Sequence, residues 1–149
     1  MRKFVPLFLF LLGASNLHAV DRKLDGVWKA VFTGPTGERP KMVSEMVFIF
    51  RVDGNKLTGI AHMSYWPGDT EISDGKVDGD RISFTALGKL PWGSTSNGVA
   101  QGGYPKLRFD GLLTDGVITF KLDWGSVMFT GEERAATHDL PMRAQKVAE

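Results

Sequence analysis

The chain contains no cysteine, which excludes disulfides, a thiolate metal centre and a lipid anchor carried on a cysteine. Whatever holds the fold together is packing. Long apolar runs are also missing, and no stretch approaches the roughly 20 consecutive apolar residues that a membrane-crossing helix needs. No segment has the three-turn apolar periodicity of an amphipathic helix. Histidine occurs three times, never as H-x-x-x-H or H-E-x-x-H, so no transition-metal site is expected. Ser94 and Ser96 lack a G-x-S-x-G nucleophile elbow. "GVAQGG" does not lead from a strand into a helix, so it is no phosphate-cradling loop.

The N-terminus has a recognisable pattern. Met1, Arg2 and Lys3 precede an apolar run from Phe4 to Leu12, and "GASNLHA" ends on a small residue at Ala19. This reads as a secretory signal, residues 1–19, cleaved near Ala19, which leaves one domain over residues 20–149 in the periplasm or outside the cell. Cleavage removes two bases and no acid, so the net charge of +1 becomes −1. With that excess gone, composition gives no reason to expect nucleic acid or an anionic membrane surface as a partner.

Eighteen glycines, ten phenylalanines and short β-branched runs punctuated by Asp-Gly favour an all-β chain. "GKVDGDRISF" resembles a metal loop until it is read as a hairpin. With Gly79 and Asp80 central, Asp78 faces Arg81, Val77 faces Ile82 and Gly75 faces Phe84. In "FRVDGNKLTG", central Gly54 and Asn55 set Asp53 against Lys56, Val52 against Leu57, Phe50 against Gly59 and Met46 against Met63. In "GLLTDGVITF", central Asp115 and Gly116 set Leu113 against Ile118, Gly111 against Phe120, Phe109 against Leu122 and Leu107 against Trp124. That third hairpin also separates its faces, with Asp110 opposite Lys121 and Arg108 opposite Asp123. Three times a glycine and a phenylalanine meet across a tight turn, which lets a sheet bend while a ring restores buried surface. The spacing does not fit a calcium loop. Ile72 has the wrong parity to join Val77, which calls for a bulge near Asp74.

A first strand at Gly26 to Thr33 and a last near Asp139 to Val147 bring the count to about eight. The expected fold is all-β: a single antiparallel up-and-down barrel, with a β-sandwich as the alternative because Val47, Ile49 and Ile60 make one outer face apolar. In such a barrel the three tight turns close one end. Longer connections, Gly34 to Lys41, Ser64 to Thr70, Gly88 to Pro105 and Gly125 to His138, surround the other. These bring Tyr65, Trp66, Trp92 and Tyr104 to that mouth, with Trp124 near it, and the five are the candidate ligand-binding residues.

Gly26-Val27-Trp28 resembles the G-x-W first-strand signature of lipocalins and avidin-like barrels. The resemblance implies a tryptophan at the closed end with a basic residue of the last strand across it, here Arg143 or Lys146. "LDGVWKA", "VDGNKLTG", "ISDGKVDGDRISF" and "RAQKV" together resemble a small barrel unit of exported bacterial proteins, found alone or beside carbohydrate-active domains. No biotin-site or catalytic residues carry over.

Two carboxylate pairs, Asp69 with Glu71 and Glu132 with Glu133, lie near the expected mouth. Neighbours in sequence rarely acquire the distinct environments that acid and base roles need, so both read as solvated charges. The expectation is an exported, non-catalytic binding protein that needs no cofactor and holds a small-molecule, lipid or saccharide ligand at the mouth. The alternative is a module that docks a protein or wall polymer, with a hydrolase as a third class.

Overall fold

Two-residue turns with glycine in the left-handed region join the strands in pairs, because the mirror-image turns II′ and I′ match the right-handed twist of a hairpin. Gly54 (φ 60°) and Gly79 (φ 58°) lead two of these turns, and Asp115 (φ 50°) with Gly116 (φ 76°) makes a third. The computed structural model describes residues 23–32, 45–63 and 68–148. Residues 1–19, expected to be a secretory signal, and the aromatic pair Tyr65 and Trp66 lie outside them.

Among the described residues there are nine strands: β1 Gly26–Phe32, β2 Met46–Asp53, β3 Lys56–Met63, β4 Thr70–Asp78, β5 Arg81–Leu87, β6 Trp92–Ser96, β7 Val99–Thr114, β8 Val117–Met128 and β9 Glu133–Lys146. Every pairing is antiparallel. Because β9 returns to β1 and β5 pairs with β7, eight strands close into an up-and-down barrel in the order β1–β2–β3–β4–β5–β7–β8–β9, with β6 outside the ring. Closure excludes the two-sheet sandwich.

The β2–β3 and β7–β8 registers match the sequence reading rung for rung, from Asp53↔Lys56 to Met46↔Met63 and from Leu113↔Ile118 to Leu107↔Trp124. The β4–β5 hairpin needs a correction. Asp78↔Arg81 and Val77↔Ile82 hold, but the register shifts between Ser73 and Lys76, so Phe84 has no direct rung with Gly75. The extra residue sits at Asp74, whose φ of 52° marks the bulge that brings Ile72 into line opposite Ala86.

The glycines also differ in what they permit. A Cβ on Gly111 would lie 2.6 Å from Phe120 Cε1, so there the ring does cover bare backbone. On Gly59 it would lie 1.8 Å from the carbonyl oxygen of Ile49, and on Gly75 2.0 Å from that of Leu57. These two glycines let neighbouring strands cross closely, and no ring accounts for them.

Inward residues at alternate positions fill the barrel. Phe48 stacks on Phe50 (centroids 5.4 Å apart, 6° between planes) and meets Phe84, Phe109 and Phe120 edge-on at 5.4, 5.2 and 5.7 Å. Phe84 and Phe109, opposite one another on β5 and β7, stack at 4.5 Å. All five rings are buried. Trp28 continues the stack toward the tight-turn end, where its indole N–H donates to the carbonyl of buried Leu24 at 2.7 Å. Lys146 of β9 is its partner across the ladder, and its Cε lies against Gly26, whereas Arg143 pairs with Val31. Of the two expected basic partners, Lys146 therefore shares the rung of Trp28. Toward the other end, Met46, Met63, Ala86, Leu107 and Met142 are buried as well.

Candidate binding surface

The strands on one side of the barrel continue past the ring. Lys106 is the last β7 residue paired with β5, and Gly88 extends that ladder through its N–H to Pro105 O at 2.8 Å. β6 then takes over the same edge of β7, Trp92 opposite Gly103 and Ser96 opposite Val99. Gly88 to Pro105, expected to be one long loop, is thus largely a second hairpin. Its turn is Asn97 (φ 50°) and Gly98 (φ 75°), a type I′ pair. The stretch from Gly125 to His138, also read as a connection, is mostly strand: β8 runs to Met128 and β9 starts at Glu133. Together β6, the start of β7, the end of β8 and the start of β9 form a wall beyond the ring.

This wall carries much of the exposed apolar surface. Among the described residues, Trp92, Val99, Tyr104 and Phe129 on the wall and its turn, with Leu87 and Leu90 on the chain leading into it, make up six of the eleven exposed large hydrophobics. Trp92 is 49% exposed, with its edge anchored by an N–H bond to Ser126 Oγ at 3.3 Å. It lines a groove of about 300 Å³ with Pro91, Ser94, Thr95, Ala100 and Phe129. Phe129 is braced by Tyr104, whose ring meets it edge-on at 5.9 Å. Trp124 is half-buried and packs against the core from β8. Of the five candidate residues, the three that are described, Trp92, Tyr104 and Trp124, all lie on the wall. Among these three only Trp92 borders the groove, and Tyr104 reaches it through Phe129.

A second recess, about 220 Å³, lies beside Trp124 and is charged. Glu133 accepts from Lys106 Nζ and, at 2.7 Å, from Arg108 Nη2, bridging β7 and β9. The Lys106 hydrogen bond, aided by the charges of Lys106 and Arg108, holds the Glu133 carboxyl below its ordinary range. Glu132 is lowered likewise by the fork of Arg134, whose two nitrogens bind it at 3.2 Å. Each carboxylate has its own cation and is held ionised, the reverse of the raised value a proton donor to a glycosidic oxygen needs. Asp69 is engaged elsewhere, its Oδ1 2.7 Å from His62 Nδ1 on the exposed face of β3. Among the described residues no group of three or more His, Asp or Glu stands close enough to hold a metal ion.

The charged tips on the outer face pair differently from their strand rungs. Arg108 is opposite Asp123 in register, yet its guanidinium goes to Glu133, and Lys121 Nζ lies 4.0 Å from Asp139 Oδ1. Asp123 Oδ1 accepts the N–H of Asp139, whose φ of 54° marks an irregularity in β9. On the opposite side, Val27, Ile49 and Ile60 align across β1, β2 and β3 as an outward apolar row.

Comparison with known proteins gave no match to a family model, to a curated protein or to a solved structure.

Proposed function

We propose that this chain is an exported, non-catalytic binding protein whose ligand rests on the wall beyond the barrel ring and not within the barrel. One observation carries the reading: five closely packed phenylalanines occupy the interior, while Trp92 and Phe129 stand half-exposed on the wall outside it. Binding sites are concave surfaces with aromatic faces and a few polar groups, and aromatic side chains left in water are otherwise costly. The kinship to lipocalin-like and avidin-like barrels belongs to the same proposal, supported by the G-x-W strand and by Lys146 on the rung of Trp28. Export rests on the N-terminal pattern of Arg2, Lys3 and the apolar run that follows.

Tryptophan fluorescence of the mature protein, titrated with lipids, aromatics, oligosaccharides and peptides, tests the wall. A signal change that Trp92→Ala removes supports it. No change with any of these classes contradicts it.

A protein-docking module is the second reading, favoured by the row of Val27, Ile49 and Ile60 on the barrel's outer face. Pull-down from exported material, with Ile49→Glu as the control, separates the two. Retention that the substitution abolishes supports docking on this face.

A further inference from the structure

The groove around Trp92 has a chemistry that discriminates among ligand classes. From Pro91 to Pro105 the chain carries no charged residue, and Ser94, Thr95, Ser96, Asn97 and Gln101 are all exposed there. A charged ligand finds no counter-ion in such a surface. A lipid tail needs an enclosed apolar cavity, and the barrel interior is already occupied by rings. An added peptide strand needs a straight free edge. The β6 edge is only five residues long and carries Gly93 (φ 144°), facing Gly102 (φ 146°), in a backbone conformation that other residues rarely adopt.

What fits is a neutral molecule with a flat C–H face and a hydroxylated rim. We infer that this surface binds a neutral saccharide, one ring stacked on the indole of Trp92 with its hydroxyls directed to Ser94 and, across the ladder from it, to Gln101, both on the same face of the wall as Trp92. The inference rests on the binding proposal above and names its ligand class. The Ser126 bond holds the indole edge against the wall, so the ring is ordered before the ligand arrives. A serine hydroxyl and a glutamine amide each donate and accept, which matches the alternating demands of a sugar rim.

The experiment uses the mature protein against a panel of chitohexaose, cellohexaose and maltohexaose together with a mixed neutral and acidic glycan array, with solution binding read by calorimetry and the array by a fluorescent label on the protein. The expected result is binding to at least one neutral glycan that Trp92→Ala weakens about tenfold or more, a difference of about 1.4 kcal/mol. Trp92→Phe should restore much of it. Ser94→Arg, which keeps the indole and crowds the same face at an exposed site, should weaken it comparably. Raising salt from about 0.05 to about 0.5 M should leave the affinity within about twofold, since no ion pair is made. Trp92-dependent binding of oleate micelles, of an unfolded peptide or of a second copy of this chain, with no neutral glycan bound, overturns the saccharide assignment and leaves the wall proposal standing. Absence of Trp92-dependent binding in every class overturns both.

Discussion

Replacing Phe48 with alanine removes a side chain that touches four other rings at once. Its centroid lies 5.2 to 5.7 Å from those of Phe50, Phe84, Phe109 and Phe120, and it is fully buried. Truncation of a buried phenylalanine costs about 3 to 5 kcal/mol, a sum of lost transfer energy and the cavity left behind. Here the neighbours are rings fixed by strands on opposite sides of a closed barrel. They cannot collapse freely, which places the expected loss in the upper half of that range. Measured against a typical total of about 5 to 15 kcal/mol, the variant should fold but be marginal. Urea unfolding followed by near-ultraviolet circular dichroism should show a lower midpoint with an unchanged slope. The new cavity, lined by rings, should also take up benzene and recover part of the lost stability. A loss below about 1.5 kcal/mol, with no response to benzene, would refute the packing described for the barrel interior.

Substitutions at glycine should separate backbone crossings from open turns. Gly59→Ala drives a Cβ to 1.8 Å from the Ile49 carbonyl oxygen and should cost more than about 3 kcal/mol or prevent folding, whereas Gly54→Ala meets nothing within 4 Å and should cost about 1 kcal/mol, as read by thermal unfolding. Trp28→Phe leaves the Leu24 carbonyl without its indole donor inside the core and should cost about 1 to 3 kcal/mol in the same assay. Acid should loosen the wall, because the carboxyls of Glu132 and Glu133 titrate below their ordinary range when folded. Their contribution is complete above the unfolded value, near pH 4.3, and is lost as pH falls through the lowered folded value; Glu133→Gln should abolish its share of that acid dependence in Trp124 fluorescence.

Much of this fold was legible because it is built from local rules. Gly54-Asn55, Gly79-Asp80 and Asp115-Gly116 each set a register, and alternation between buried and exposed positions carried that register along both strands. Even the bulge at Asp74 showed itself as a parity conflict between Ile72 and Val77. The β6–β7 hairpin had a signal too, since Asn97-Gly98 is a strong type I′ pair. It passed as loop because the flanking Ser, Thr and Gln do not alternate with apolar residues: the hairpin stands outside the core, so burial imposes no pattern on it. The roles of Gly59 and Gly75 were not separable from that of Gly111. A strand glycine reads the same whether a ring or a neighbouring backbone approaches it. The pairing of Glu133 with Lys106 and Arg108 depends on the register across β7, β8 and β9, which two shifts in the β8–β9 ladder set, and no local sequence pattern encodes it.

The division between a filled interior and an outer binding wall can be tested without knowing the ligand. A crystal of the mature protein pressurised with xenon would reveal any apolar void, since xenon enters dry cavities lined by aliphatic and aromatic groups. The account predicts no xenon among Phe48, Phe50, Phe84, Phe109 and Phe120. A xenon atom at full occupancy inside that ring cluster would contradict it and return the ligand to the inside of the barrel.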